Sequence, residues 1–115
     1  MIRSLRDTAL DGTSAGNSNS LDIWDSEHVV WVANVSVLSG GAPGITFSWE
    51  HSSDNATWFA IAAEASIAAA PDFKSRLIRT ERTFRFVRVS WTVGTNATGT
   101  IEVYIQAFNY LDKRN

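Results

Sequence analysis

Thr-Phe-Arg-Phe-Val-Arg-Val-Ser-Trp-Thr-Val, residues Thr83–Val93, is the stretch that decides the fold class of this chain. It is rich in β-branched and aromatic residues and contains neither Gly nor Pro, a composition typical of a central β-strand. Alternation gives it one face of Val87, Val89, Trp91 and Val93 and an opposite face of Phe84, Phe86 and Arg88. A strand with apolar side chains on both faces is covered on both, at least at one end.

Working outward, other segments repeat this two-residue alternation and are separated by turn-forming residues. Residues 40–44 (Gly-Gly-Ala-Pro-Gly) and 52–55 (Ser-Ser-Asp-Asn) are loops, and the alanine-rich residues 64–71 are too short for a stable helix. We therefore predict an all-β protein, an antiparallel β-sandwich of the jelly-roll or Ig-like type with about seven to eight strands. The other expected strands are Leu21–Asp25, Val29–Leu38, Ile45–His51, Ala56–Ala63, Phe73–Arg79 and Gly99–Tyr110.

Two hairpins are expected from the alternation. In the first, a four-residue turn sets Trp49 opposite Trp58. In the second, a five-residue loop joins the Thr83–Val93 strand to the last one, because only that length sets Trp91 opposite Val103 and keeps both inward. This register also places Phe86 opposite Phe108, and Phe84 opposite Tyr110, on the outer face. Such an exposed aromatic cluster marks an interface, unless the N-terminal residues or the 64–71 loop cover it.

The first twenty residues form a separate prediction. They are rich in Ser, Asn, Gly, Thr and Asp, and the apolar residues Ile2, Leu5 and Leu10 are widely spaced. We predict a flexible N-terminal arm over residues 1–20 and a sandwich domain over residues 21–115. With Arg3 and Arg6 between them, the three apolar residues are spaced like anchors for a partner surface. A frayed terminus is the alternative interpretation.

Charge is unevenly distributed along the chain. The net charge is −2 over 115 residues, which argues against a nucleic-acid partner. Residues 73–93 nevertheless carry six cations against one acid, a segment called here the basic stripe. It can be a solvated edge that discourages strand-to-strand aggregation, or it can dock copies of the chain, basic edge to acidic edge. The basic stripe consists of Lys74, Arg76, Arg79, Arg82, Arg85 and Arg88, with Glu81.

The sequence contains no recognisable catalytic or metal-binding motif. There is no cysteine, and His28 and His51 are expected to be surface or capping residues. No phosphate-binding loop, serine elbow or metal-ligand spacing is present, so we expect a protein that is not an enzyme and has no cofactor. The sequence shows no signal peptide and no membrane-spanning run, and synthesis in a cytoplasm is expected.

Two segments resemble a known group of proteins. Residues 48–63 read SWEHSSDNATWFAIAA, and residues 82–108 read RTFRFVRVSWTVGTNATGTIEVYIQAF. They resemble the small β-sandwich structural proteins of tailed bacteriophages, in particular capsid decoration (cement) proteins, over about residues 28–108. The resemblance implies arms that lie along the capsid and a virion location on the capsid surface. It also implies the major capsid protein and further copies of the chain, as a homotrimer, as partners, with no membrane partner.

Discoidin-like carbohydrate-binding sandwiches share part of this pattern, although they are usually longer and often carry cysteines or calcium ligands. A carbohydrate-binding or host-adhesion module therefore stays as an alternative, with Trp24, Trp58 or Phe59 as a stacking platform, and so does a tail or neck subunit. The expected partner interface consists of Ile2, Arg3, Leu5, Arg6, Leu10, Arg79, Arg82, Phe84, Phe86, Arg88, Phe108 and Tyr110.

Overall fold

The computed structural model of the chain describes residues 3–12, 14–40, 44–94 and 98–109. Within them, β-strands account for the regular structure apart from one short 3₁₀-helix, Thr80–Arg82. The prediction of an all-β sandwich is confirmed. The strands are β1 (Arg3–Asp11), β2 (Gly16–Asn17), β3 (Leu21–Asp22), β4 (His28–Ser39), β5 (Ile45–Ser52), β6 (Phe59–Ala63), β7 (Asp72–Arg79), β8 (Phe86–Val93) and β9 (Thr98–Phe108).

The strands form two antiparallel sheets. The first sheet has the order β1-β9-β4-β7, and the second has the order β2-β8-β5-β6, with β3 also paired to β8. Because β2 and β3 follow one another along the same edge of β8, they together take the place of one strand. Counting β2 and β3 as one strand, the chain crosses from one sheet to the other at all of its connections except β5–β6, which stays within the second sheet. This double Greek-key path is the jelly-roll arrangement, which decides between the two expected sandwich types.

The inward faces of both sheets form one core, and most of the expected inward residues are buried. At its centre the indole rings of Trp31 and Trp49, one from each sheet, stack at 5.8 Å between centroids. Val37 was expected inward but is 57% exposed, because a register shift between Val35 and Val37 turns the end of β4. The confirmed inward residues are Val29, Trp31, Ala33, Val35, Ile45, Phe47, Trp49, Val87, Val89, Trp91, Ile101, Val103, Ile105 and Ala107.

Both predicted hairpin registers are wrong. Strand β8 pairs with β5, whereas β9 pairs with β1 and β4 in the other sheet. Phe86 therefore does not lie opposite Phe108. In the β5–β6 hairpin, Trp49 lies opposite Ala62 rather than Trp58, and a register shift follows at the next residue. Alternate residues of a strand are buried whether the next strand along the chain lies in the same sheet or in the opposite one. Alternation therefore could not predict which strands pair.

The prediction that paired strands begin near Leu21 is also wrong. Strand β1 runs antiparallel along β9, with Leu5 opposite Ile105 and Leu10 opposite Ile101. Both leucines pack against the core of their own chain. An edge strand of a sandwich needs only one apolar row, so a segment of mostly polar residues can satisfy it.

The residues after β1 lie along the second sheet. The indole N–H of Trp91 donates to the carbonyl oxygen of Ser14 at 3.1 Å, and Gly16 is the Cα partner of Trp91. A Cβ at Gly16 would lie 3.0 Å from the Trp91 ring, closer than ordinary van der Waals contact, so a larger residue here would require the ring to shift.

Candidate partner-docking surface

The expected interface residues do not meet on one surface. Arg3, Leu5, Arg6 and Leu10 lie on β1, and Arg79 and Arg82 lie at the end of β7 and in the 3₁₀-helix. Phe84, Phe86 and Arg88 lie on and before β8, and Phe108 ends β9 in the other sheet. Ile2 and Tyr110 lie outside the described residues. The structure thus separates the expected interface into several parts.

The predicted outer aromatic cluster is not formed by the residues that the structure describes. Phe108 is buried and stacks on His28, with ring centroids 5.5 Å apart. Phe86 is half-buried on the outer side of the second sheet, where the Arg85 guanidinium lies 5.3 Å from its ring. Phe86 and Phe108 therefore do not form one outer cluster, since the two rings belong to different sheets.

The basic stripe is largely neutralised within the chain. Arg76 pairs with Glu64 at 3.0 Å, Arg79 with Glu81 at 3.5 Å, Arg85 with Asp22 at 2.7 Å and Arg88 with Glu50 at 2.8 Å. Hydrogen bonds from Arg85 and Arg76 lower the pKa of Asp22 and of Glu64 respectively, as expected for carboxylates held by a guanidinium. Within the described ranges, Lys74 and Arg82 are the stripe cations that form no ion pair. The basic stripe therefore has two cations available for ion pairs with a partner.

A different surface, which the sequence reasoning missed, lies on the outer side of the first sheet. Val30, Val32 and Tyr104 alternate with buried core residues, so they face away from the core, and Phe73 and Leu77 lie on the same side because they pair across β4 with Asn34 and Val30. Val30 is the cross-strand partner of Leu77, and Val32 is that of Tyr104. Phe73 and Leu77 on the edge strand β7 are 57% and 56% exposed. We call this surface the apolar face: Val30, Val32, Phe73, Leu77 and Tyr104.

A signal for the apolar face is present in the sequence. The run Val29–Val32 reads Val-Val-Trp-Val, so both rows of that strand are apolar, which indicates a partner on both faces. In Phe73–Arg79 the exposed row holds Phe73 and Leu77, whereas the row facing the core side holds Lys74 and Arg76. That inversion of polarity could have identified the face once the pairing of β4 with β7 was known.

A groove opens at one end of the apolar face. Its volume is about 480 Å³, and its lining includes Asn34, Asp72, Phe73 and Glu102. Glu102 pairs with Arg6 at 3.2 Å, whereas Asp72 forms no ion pair in the part of the chain that the structure describes. The groove thus combines an apolar wall with carboxylate oxygens, an arrangement suited to a side chain with an apolar stem and a cationic end.

The expected stacking platforms occupy different environments. The Arg88 guanidinium covers Trp58 at 4.3 Å from the ring, and Phe59 lies on the edge strand β6. Trp24 and Phe84 lie on connecting segments and are 56% and 45% exposed. The predicted strands Leu21–Asp25 and Thr83–Val93 included these two residues, and that part of the prediction is wrong.

His51 holds Phe84 in place. The two rings stack at 4.5 Å, and the ring Nδ1 accepts a hydrogen bond from the Phe84 amide at 3.0 Å. Burial lowers the pKa of His51, which favours the neutral ring that this bond requires.

Among the described residues, no group of three or more His, Cys, Asp or Glu side chains is placed to hold a metal ion. The same part of the chain contains no helix long and apolar enough to cross a membrane.

No family model matches the chain, and no curated protein matches its sequence. Among solved structures, the PBSX exported protein XepA is similar to it at a TM-score of 0.63 and 16% identity, over 90% of this chain. The match covers 37% of XepA, so the chain spans little more than a third of that protein. The SPBc2 prophage-derived protein YomS aligns over 93% of this chain and 94% of its own, at 12% identity and a TM-score of 0.49. The likeness to XepA shows a shared fold.

Proposed function

We propose that the chain is a non-enzymatic structural subunit of a phage virion, a decoration protein that docks on the outer surface of the assembled capsid and stabilises it. The observation that carries this proposal is the apolar face. Contiguous exposed apolar side chains on a folded domain mark a surface that is covered by a partner in the working state. Docking to a surface that exists only in the assembled shell stabilises that shell by mass action.

The apolar face suits a broad, flat partner. It lies on strands of a sheet rather than on flexible loops, so little ordering is required when a partner binds. The groove at the Phe73 end adds a specific element, since the Asp72 carboxylate, which has no ion pair within the described residues, favours a Lys or Arg side chain from the capsid protein. The occupant that this surface fits is therefore a capsid subunit with an apolar strip and an adjacent basic side chain.

Fold-level analogy supports the proposal without carrying it. The jelly roll is a common architecture of viral capsid domains, and XepA, which shares this fold, is by its name an exported protein of PBSX. We further propose that the chain binds as a homotrimer. A sedimentation-equilibrium mass three times the 12.7 kDa of one chain would support that state, and a monomer at all concentrations would contradict it.

Co-sedimentation with purified, undecorated capsids of the phage that encodes the chain tests the docking. Wild-type protein should pellet with capsids, and Leu77→Asp should reduce its apparent affinity at least tenfold, because the substitution places a charge on the apolar face. Phe59→Asp is the matched control. Phe59 is 53% exposed on the other sheet, so its substitution should leave capsid binding unchanged.

The salt dependence separates the two candidate surfaces. At about 1 M salt the Debye length is about 3 Å, so binding through the basic stripe would weaken strongly, whereas binding through the apolar face should persist. Equal pelleting of wild type and Leu77→Asp, with both folded by circular dichroism, would overturn the proposed docking surface. Absence of wild-type protein from the capsid pellet at low and high salt would overturn the proposed function.

A further inference from the structure

A second site shares no residue with the apolar face. We propose that it binds one neutral sugar ring of a glycan, an activity independent of capsid docking. The site is a cavity of about 190 Å³ between the β3–β4 connection and the segment that precedes β8. We call it the end pocket, with Ile23 as its buried floor and Trp24, Asp25, Ser26, Thr83, Phe84 and Arg85 around it.

The walls of the end pocket are tied together by the backbone. The Ile23 amide donates to the Arg85 carbonyl oxygen at 2.8 Å, and the Thr80 amide donates to the Glu27 carbonyl oxygen at 2.9 Å. The Thr80 hydroxyl also donates to the Ser26 carbonyl oxygen. Two connecting segments that would otherwise move separately are thereby joined, so the cavity exists before a ligand arrives.

Two aromatic rings on these walls are fixed but remain accessible. Phe84 is held by the ring of His51, and Trp24 has the Arg85 guanidinium 5.3 Å from its ring centroid. Each ring keeps about half of its surface exposed, Trp24 at 56% and Phe84 at 45%. A rigid aromatic surface at low conformational cost is what the apolar C–H face of a sugar ring requires for stacking.

Polar groups without partners lie beside these rings. Within the described residues, the Asp25 carboxylate and the Ser26 hydroxyl form no hydrogen bond or ion pair. The Asp25 backbone has φ of 64°, a conformation rare for residues other than glycine and one that recurs at binding sites. A carboxylate can only accept hydrogen bonds, so the complementary ligand carries hydroxyl donors.

The charges favour a neutral ligand. The Arg85 guanidinium lies on Trp24, so a cationic ligand on the same ring would meet a like charge. The unpaired Asp25 carboxylate disfavours an anionic ligand. Arg85 itself is engaged by Asp22 through Nε and Nη2, at 3.1 and 2.7 Å. The end pocket thus offers aromatic rings for stacking and a carboxylate that accepts hydrogen bonds from hydroxyl groups, and it disfavours charged ligands. These features together suit a neutral hexopyranose.

Titration followed by ¹H–¹⁵N NMR tests the end pocket with four neutral sugars as probes: glucose, galactose, mannose and N-acetylglucosamine. A ligand of about twelve non-hydrogen atoms at ordinary ligand efficiency reaches a dissociation constant on the order of 1 mM. We expect at least one sugar to give saturable shifts confined to amides of residues 23–26 and 80–85. Choline chloride, a cation that also stacks on aromatic rings, should give none.

Three variants make the outcome decisive. Trp24→Ala should weaken binding at least tenfold, and Asp25→Gly should weaken it several-fold while keeping the backbone conformation, because glycine accepts positive φ without strain. Val37→Ala is the matched control, since Val37 is equally exposed but distant in the sheet pairing, and it should bind like wild type. The proposal is overturned by the absence of saturable shifts with all four sugars up to about 100 mM, a hundredfold above the expected constant. Unchanged binding in both pocket variants, or saturable shifts with choline alone, would also overturn it.

Discussion

Arg76 and Glu64 join the two sheets on the side of the sandwich where β6 and β7 are the edge strands. Arg76 on β7 donates two hydrogen bonds to Glu64 just after β6, Nε to Oε1 at 3.0 Å and Nη2 to Oε2 at 3.2 Å. Oε1 also accepts the indole N–H of the fully buried Trp49 at 3.0 Å. On the opposite side, Asp22 plays the corresponding role between Arg85 and Arg3.

Removing the Glu64 carboxylate should destabilise the fold. Glu64→Ala leaves the buried Trp49 N–H without its acceptor, and we expect a loss of about 1–3 kcal/mol in the free energy of unfolding. Glu64→Gln keeps an acceptor oxygen and should lose less. Urea unfolding measures both. Arg79→Ala, which breaks the exposed Arg79–Glu81 pair, is the control and should cost less than about 1 kcal/mol.

The Glu64 contribution should depend on pH. The hydrogen bond from Arg76 lowers the pKa of Glu64 below its ordinary 4.5, so the folded state favours the carboxylate. The stabilisation is then fully present above about pH 4.5 and is lost as the pH falls through the lower folded-state pKa. The difference between wild type and Glu64→Gln should therefore shrink in acid. A difference that stays constant down to pH 2 would show that charge is not its source.

Strand β1 makes a prediction opposite to that of a flexible arm. Leu5→Ala should cost about 1–2 kcal/mol, below the range for a fully buried leucine because Leu5 is only partly buried against the core. Ser4, the neighbouring exposed residue, provides the control Ser4→Ala, which should be nearly neutral. Thermal unfolding of both variants makes the comparison. Equal stability of Leu5→Ala and wild type would restore the interpretation of this segment as an arm.

These residues also show how far the sequence could lead. The alternation in Val29–Val35 and in Ile101–Ala107 predicted which side chains are buried, because burial depends only on the two-residue period of a strand. It could not predict that β8 and β9 belong to different sheets, because a core residue is equally buried whichever sheet holds its strand. The jelly-roll path depends on which strands pair, and that is decided by the whole set of contacts.

The charged and apolar surfaces were predictable from the sequence only where they depend on local patterns. The stripe cations were recognised from composition, but the acids that pair with Arg76, Arg85 and Arg88 come from other segments, such as Asp22 for Arg85, 63 residues away. Neutralisation of this kind cannot be seen before the strands are placed. The apolar face and the end pocket likewise each combine segments that are remote in sequence, so neither could be assembled from local patterns.

Asp54 should titrate far below an ordinary aspartate. It accepts hydrogen bonds from the amides of Thr57 and Ala56 at 2.8 and 2.9 Å and from the Ser52 hydroxyl at 2.9 Å, which lower its pKa to about 2. Its contribution to the β5–β6 turn is therefore present above its ordinary pKa of 3.8 and lost as the pH falls through about 2.

Carboxyl ¹³C NMR measures the Asp54 midpoint directly, and a value near 4 would contradict the turn geometry. Asp54→Ala should speed hydrogen exchange of the Ala56 and Thr57 amides. Ser53→Ala, at the exposed neighbouring position, should leave their exchange unchanged.

The two core tryptophans should differ in their tolerance of phenylalanine. Trp31 and Trp49 are both fully buried and stack on each other, so either substitution removes a similar volume. Trp49 donates its indole N–H to Glu64, whereas the Trp31 indole N–H has no acceptor within the described residues. Trp49→Phe thus loses a hydrogen bond to a charged group, worth about 1.5–3 kcal/mol, and Trp31→Phe removes an unsatisfied donor. We expect Trp49→Phe to be the more destabilised of the two by at least about 1 kcal/mol in urea unfolding.

Adding Glu64→Gln to each variant tests the cause. The second substitution should cost less in Trp49→Phe than in Trp31→Phe, because only the Trp31→Phe variant retains the Trp49 indole that donates to Glu64. Equal costs in the two backgrounds would show that the difference arises from packing alone.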